Sequence, residues 1–224
     1  MKAKNYAVVS VLLSTLLMCF VDGIISPPYL YKSIIKIVLF LLIPLSYFLL
    51  YKDKAAYLKK LFIPKKKDFL LALLLGIGVF VVIMIAYFLL GDYIDLSGIK
   101  ESLTTGIGVT ADNFMYVAFY ISFVNSLLEE FFFRGFAFVT LKRHASRRLA
   151  YFLGAFLFAF YHVGMTVTWL PFPVFLAELA GLTGGGLIFN FLCEKTETVY
   201  PSYIVHMCCN FGINLIGFIL FGVI

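Results

Sequence analysis

Long apolar runs separated by short polar connections make up most of the chain. The runs cover residues 6–25, 31–51, 69–90, 114–140, 149–165, 173–192 and 200–222. Each is close to the roughly 20 apolar residues that a helix needs to cross the hydrocarbon core of a bilayer. The runs are apolar on all sides and do not alternate, which favours helices over the strands of a β-barrel. The pattern predicts an all-α, polytopic transmembrane helix bundle with about seven to eight spans.

The composition excludes a soluble globular domain. Hydrophobic residues make up 62% of the 224 positions and charged residues only 13%. Such a chain has too few polar groups to cover a surface that faces water. We expect lipid to be its solvent, so membrane lipids are its first predicted partner.

The distribution of lysine and arginine predicts an orientation. With the N-terminus in the cytoplasm, most of the 18 basic residues fall in cytoplasmic connections, and only Lys32, Lys36 and Lys100 are assigned to the outer side. The positive-inside rule therefore predicts a multi-pass protein of the cell membrane with a cytoplasmic N-terminus and an outer C-terminus. The net charge of +6 then requires no nucleic-acid partner. The outer connection, residues 91–113, is predicted to be a loop.

Ionisable groups within the spans divide the chain into two parts. Residues 1–113 are predicted to form N-terminal scaffold spans with a Lys-rich cytoplasmic loop, because the interiors of the first three spans contain essentially no ionisable side chains. Residues 114–224 are predicted to form the catalytic helix bundle. An ionisable group in a bilayer costs several kcal/mol, and it persists only when it is paired or functional. The sequence predicts no oligomeric state.

The fourth span carries two adjacent carboxylates, of which only one has a predicted cationic partner on the same helix. Glu130 and Arg134 are four residues apart, so they share a helix face and are predicted to form an ion pair. Glu129 points away from Arg134 and is predicted to lack a partner there. An unpaired acid at this depth favours chemistry, although both glutamates could instead hydrogen-bond neighbouring helices and lock the bundle.

Two histidines and an amide lie in later spans. His162 is in the fifth span, and His206 shares a face of the seventh with Asn210. These groups and Glu129 are predicted to meet in one cavity, where a carboxylate, imidazoles and a carboxamide can activate water and hold an oxyanion. Serine catalysis at Ser126 is the weaker hypothesis, because no histidine lies in local register with it.

Three ordered motifs resemble the CPBP family of intramembrane proteases, which includes the CAAX prenyl endoprotease, Abi and bacteriocin-immunity proteins. They are Glu129-Glu130-x-x-x-Arg134, Phe158-x-x-x-His162 and His206-x-x-x-Asn210, and the resemblance covers roughly residues 114–216. It implies that Glu129 activates water with help from His162, and that His206 and Asn210 stabilise the oxyanion. It assigns Glu130 and Arg134 to the architecture of the site.

The same resemblance leaves the metal content open. The family has been called a metalloprotease family, and Glu129, His162 and His206 are candidate zinc ligands. HExxH is absent and asparagine is a poor zinc ligand, so a metal-free glutamate mechanism is slightly favoured. Glu178, in the sixth span near several glycines, is a further candidate for the substrate cavity, although helix packing is the simpler interpretation of this region.

The functional hypothesis is an intramembrane endopeptidase of the CAAX-protease type that acts on a hydrophobic, lipid-modified or peptide substrate. The alternative is a non-catalytic membrane protein that gives bacteriocin self-immunity or regulates a membrane sensor. A proton-coupled transporter is a weaker third hypothesis, because the chain has no inverted repeat.

Overall fold

The computed structural model describes residues 3–51, 60–65 and 68–224. Within them, seven helices are long and apolar enough to cross a membrane, so the prediction of an all-α polytopic bundle is confirmed. No strand occurs in the described ranges. In chain order the helices are α1 (Ala3–Ile25), α2 (Tyr29–Leu50), α3 (Phe69–Tyr93), α4 (Ala111–His144), α5 (Arg147–Thr166), α6 (Phe172–Thr196) and α7 (Tyr200–Phe221).

The connections differ from the sequence prediction in one respect. The segment predicted as a loop between α3 and α4 contains a short helix, Leu96–Glu101, followed by a π-helical turn, Ser102–Gly106. The short helix forms because the Asp95 carboxylate accepts a hydrogen bond from Gly98 N at 2.9 Å and so caps its first turn. Most of the predicted Lys-rich cytoplasmic loop lies outside the described residues.

Local capping sets the starts of the helices that carry the site. At the start of α4, Thr110 and Asn113 form a reciprocal capping box. At the start of α5, the Ser146 hydroxyl accepts a hydrogen bond from Leu149 N at 3.2 Å. These side chains satisfy amide groups that have no partner within the helix, and thereby fix where α4 and α5 begin.

Two π-helical segments interrupt α4 on either side of the glutamates. They span Tyr120–Asn125 and Phe131–Phe138, and the short α-helical segment Ser126–Glu130 lies between them. A further π-helical segment, Val38–Leu42, lies within α2. Such segments are frequent at functional sites because they change the direction in which neighbouring side chains point.

An aromatic cluster packs α2 against α4 and α5. Phe40 of α2 stacks on Phe132 of α4 with ring centroids 4.1 Å apart, and it also meets the edges of Phe133 and Tyr161. Phe40, Phe132 and Phe133 are fully buried. This packing brings the part of α2 that precedes Phe40 close to the glutamates of α4.

Small residues allow α5 and α6 to approach closely. A Cβ atom built on Gly186 would lie 2.9 Å from the Cα atom of Ala155. One turn further along α6, Asn190 donates a hydrogen bond to the backbone oxygen of Tyr151 at 3.1 Å. The α5–α6 pair therefore forms one close-packed wall beside the site.

Candidate active site

Glu129, His162 and His206 meet between α4, α5 and α7. The Oε2 atom of Glu129 lies 3.9 Å from His162 Nε2 and 3.7 Å from His206 Nε2. Glu129 and His206 are buried, and the side chain of His162 is 15% exposed. The structure thus brings together three of the four residues that the sequence assigned to catalysis.

Both imidazoles turn the same nitrogen toward Glu129. His162 Nδ1 lies 2.7 Å from the backbone oxygen of Phe158, and His206 Nδ1 lies 3.0 Å from Glu130 Oε1. A carbonyl and an ionised carboxylate accept hydrogen bonds only, so each Nδ1 carries a proton and donates it. In the neutral rings, each Nε2 therefore presents a lone pair toward Glu129 Oε2.

Glu130 and Arg134 form a fully buried ion pair. Arg134 Nη1 donates to Glu130 Oε1 at 3.0 Å, and neither side chain is exposed. The guanidinium lies over the rings of Phe158 and Phe189, 4.2 and 4.8 Å from their centroids. Because the same Glu130 oxygen accepts from His206, this pair also orients the imidazole.

Asn210 lies one turn from the imidazole cluster. Its amide nitrogen donates to Ser126 Oγ at 2.7 Å and to the backbone oxygen of Ile121 at 3.2 Å. One turn further, Asn214 donates to Ser122 Oγ at 2.9 Å in the same way. Both amides therefore connect α7 to α4. The amide of Asn210, which the sequence predicted as an oxyanion donor, is already engaged in contacts between these helices.

Glu129 has a cationic partner, which the sequence prediction of an unpaired acid missed. Lys36 Nζ of α2 donates to Glu129 Oε1 at 2.5 Å, and Lys36 is only 4% exposed. Lys36 therefore lies inside the bundle and not in a connection, and the expectation that the interiors of the first three spans contain essentially no ionisable side chains is wrong. A lysine inside an apolar run was itself the available signal.

The comparisons with known proteins identify the region that carries this geometry. Residues 111–212 match the family model described as type II CAAX prenyl endopeptidase Rce1-like. The match covers slightly less than half of the chain and shows that this part is similar to the Rce1-like family. No curated protein and no solved structure matches the chain. The chain is thus a multi-pass membrane protein with a CAAX-protease-like endopeptidase region, as the motifs indicated.

The Rce1-like region contains α4, α5, α6 and the first half of α7. It includes Glu129, His162, His206 and Asn210, together with Glu130 and Arg134. Lys36 lies outside it, on α2. The division of the chain at residue 113 stays a prediction, but the site receives a side chain from each side of that boundary.

Glu178 occupies a different place in the Rce1-like region. It is half-buried on α6, and its carboxylate lies near Thr166 at the end of α5. Thr166 also donates to the backbone oxygen of His162 at 3.2 Å. Glu178 is therefore connected to the site through α5, and its assignment to a substrate cavity stays a prediction.

The arrangement does not fit a metal ion. Among the described residues, no group of three His, Cys, Asp or Glu side chains is placed to hold one. The candidate zinc ligand Glu129 already carries the Lys36 ammonium, whose charge opposes a second cation on the same carboxylate. We therefore assign no step of the reaction to a metal.

A cavity of about 290 Å³, with both polar and apolar groups in its walls, lies beside the end of α5 that carries His162. Its walls include Asp22, Lys32, Thr105 and Thr168, together with Gly164, which is two residues beyond His162. This volume is large enough for several water molecules. Through Gly164 it borders the end of α5 that carries His162, the more exposed of the two imidazoles.

Proposed function

We propose that this protein is an intramembrane endopeptidase in which Glu129 activates water for the hydrolysis of a peptide bond. One observation carries the proposal. Glu129 Oε2 is buried, has no hydrogen-bond partner among the residues that the structure describes, and faces the Nε2 atoms of both histidines. A buried carboxylate oxygen left without a donor costs stability, and it is explained if substrate water is its partner.

Both distances from Oε2 to the imidazoles exceed the hydrogen-bond range but suit a bridging water molecule. In the proposed reaction, a water held by Glu129 Oε2 and His162 Nε2 gives a proton to Glu129. Its oxygen forms a bond to the carbonyl carbon of the substrate. Glu129 then passes the proton to the leaving amine nitrogen as the carbon–nitrogen bond breaks.

The developing oxyanion needs hydrogen-bond donors on the opposite side of the carbonyl. We propose that His206 first takes up a second proton from water at Nε2; this Nε2–H then donates to that oxygen while Nδ1–H remains on Glu130. Asn210 is the second proposed donor, and it reaches an oxyanion only by releasing Ser126 or Ile121. We therefore assign the larger share of oxyanion stabilisation to His206.

The substrate we propose is a hydrophobic or lipid-modified peptide segment that enters from the membrane. The site is formed by helices that span the bilayer, so a soluble peptide would have to leave water to reach it.

We also propose that the N-terminus is cytoplasmic and the C-terminus is outside. Lys142 at the end of α4 and Arg147 at the start of α5 both pair with Glu194 near the end of α6, at 2.6 Å. These basic residues share one end of the bundle, and the positive-inside rule assigns that end to the cytoplasm. Labelling of single cysteines in intact cells tests this orientation.

The decisive experiment is cleavage of a membrane peptide reporter by the purified full chain in lipid nanodiscs. Glu129→Gln and His162→Ala should each lower cleavage by at least about 100-fold, the effect typical of losing a general base. Glu194→Gln removes a glutamate outside the cluster and serves as the matched control. Full activity in both Glu129→Gln and His162→Ala would refute the proposal.

A chelator distinguishes the two protease types. The glutamate-type reaction predicts that prolonged treatment with 1,10-phenanthroline leaves the cleavage rate unchanged and that the active protein contains no stoichiometric zinc. Loss of activity with recovery on adding zinc would instead assign Glu129, His162 and His206 to a metal site.

One observation favours a non-catalytic function as the second candidate. Each buried carboxylate of the cluster has its own cation, Lys36 for Glu129 and Arg134 for Glu130. A charge-balanced cluster can serve only to hold the bundle together, as a membrane protein that protects or regulates a partner would need. In that case the cellular phenotype survives Glu129→Gln whenever the bundle stays folded.

A further inference from the structure

We propose that Lys36 is a positioning residue that holds one oxygen of Glu129 so that the other oxygen faces the two imidazoles. The inference rests on the proposed peptidase function and adds a residue from outside the Rce1-like region to its site. It is carried by the separate sets of contacts that the two oxygens of Glu129 make.

The Lys36 ammonium uses all of its donors inside the site. It donates to Glu129 Oε1 and to Asn125 Oδ1, each at 2.5 Å, and to the hydroxyl oxygen of Tyr161. An ammonium group has three protons, so these contacts saturate it. Its position is thus set by contacts with both α4 and α5.

The neutralising contacts of Glu129 converge on one oxygen. Besides Lys36, Oε1 accepts a hydrogen bond from Asn125 Nδ2 at 2.8 Å and one from the Tyr161 hydroxyl at 3.1 Å. Oε2 accepts none within the described residues. The carboxylate is therefore clamped on one side and open on the other, which sets the plane in which Oε2 meets the imidazoles.

The packing of α2 explains why a lysine can reach this position. Phe40, one turn after Lys36, is stacked in the aromatic cluster of α4 and α5. The ammonium also lies 4.7 Å from the centroid of the Tyr161 ring. The aliphatic stem of Lys36 thus runs along apolar surface while its charged end is delivered to Glu129.

The same helix supplies a matched control. Lys32, one turn before Lys36, forms a second buried ion pair with Asp22 of α1 at 2.7 Å. The side-chain exposures are 12% and 1% for Lys32 and Asp22, and 5% and 1% for Lys36 and Glu129. Removing either lysine leaves a buried acid without its cation, but only Lys36 touches the site.

The experiment compares Lys36→Met, Lys36→Arg and Lys32→Met in the full chain, with kcat and KM measured separately on the reporter. We expect Lys36→Met to lower kcat by about 100-fold, the effect of misplacing a catalytic group by about 1 Å, with KM changed less than about threefold. Lys36→Arg should restore at least about a tenth of the wild-type kcat, because the charge remains. Lys32→Met should lose stability like Lys36→Met but keep its kcat.

Infrared difference spectra between wild type and Glu129→Gln provide a second readout. This difference identifies the carboxylate bands of Glu129. Compared with their frequencies in the wild type, these bands should shift in Lys36→Met and stay unchanged in Lys32→Met. Wild-type kcat in folded Lys36→Met, or an equal loss of kcat in Lys32→Met, overturns the positioning role. If wild type and Glu129→Gln cleave equally or not at all, the peptidase proposal itself fails and takes this inference with it.

Discussion

The Glu130→Gln substitution is a sharp test of how this bundle tolerates charge in lipid. Glu130 and Arg134 are both fully buried, with Nη1 and Oε1 3.0 Å apart. At an effective dielectric constant of about 20, that distance gives an attraction of roughly 5 to 6 kcal/mol. Glutamine keeps the size and one acceptor oxygen but removes the negative charge.

Arg134 would then remain charged between two aromatic rings without an anion. Contacts with Phe158 and Phe189 offset only part of this loss, because each cation–π contact contributes about 0.5 to 2 kcal/mol. We expect Glu130→Gln to lower the free energy of unfolding by about 3 to 5 kcal/mol. The double variant Glu130→Gln/Arg134→Met should recover most of this loss, since it removes both charges and keeps the volume.

Equilibrium unfolding in mixed detergent micelles, followed by circular dichroism, measures both variants. Arg147→Gln breaks an ion pair with Glu194 at the end of the bundle, where Arg147 is 64% exposed and solvent screens its charge, and should lower the free energy of unfolding far less than Glu130→Gln does. A loss below about 1 kcal/mol in Glu130→Gln, the size typical of exposed pairs, would refute the reasoning. So would a double variant less stable than the single one.

Two further predictions concern helix packing. Gly186→Ala should cost about 1 to 3 kcal/mol of stability, because its methyl group would lie 2.9 Å from the backbone of α5. Gly185→Ala should cost nothing, because its methyl group would meet no described atom within 4 Å. Equal losses in the two variants would contradict the packing. Ser126→Ala should lower the free energy of unfolding by about 1 to 2 kcal/mol, because it removes the acceptor of the shorter of the two hydrogen bonds that the buried Asn210 amide donates. Thermal unfolding checks both, and an unchanged Ser126→Ala variant would show that the amide finds another partner.

Much of the fold was predictable because lipid imposes strong rules. A run of about 20 apolar residues has few alternatives to a spanning helix, so the seven helices follow from their length. The approach of Glu130 and Arg134 follows from helix geometry alone, because residues four apart share a face. The ordered motifs likewise placed Glu129 and both histidines in one neighbourhood.

The parts that were missed depend on contacts between helices. Lys36 lies near the start of α2, where a lysine in a span is usually assumed to reach the interface, and only the packing of Phe40 directs it inward. The occupied donors of Asn210 depend on Ser126, a residue 84 positions earlier in the chain. Neither relation has a signature in local periodicity.

The π-helical segment Phe131–Phe138 has a consequence for changes in chain length. Each residue of an α-helix turns the chain by about 100°, and a π-helical turn accommodates an additional residue at nearly the same rise. Deleting one phenylalanine there would remove the additional residue and return the segment to regular α-helix, so the two halves of α4 would stay nearly in phase. Phe136 and Leu141, both buried, would then keep their places in the core. A single-residue deletion should therefore be tolerated better in this stretch than in the α-helical segment Ser126–Glu130, where it would rotate everything that follows by about 100°.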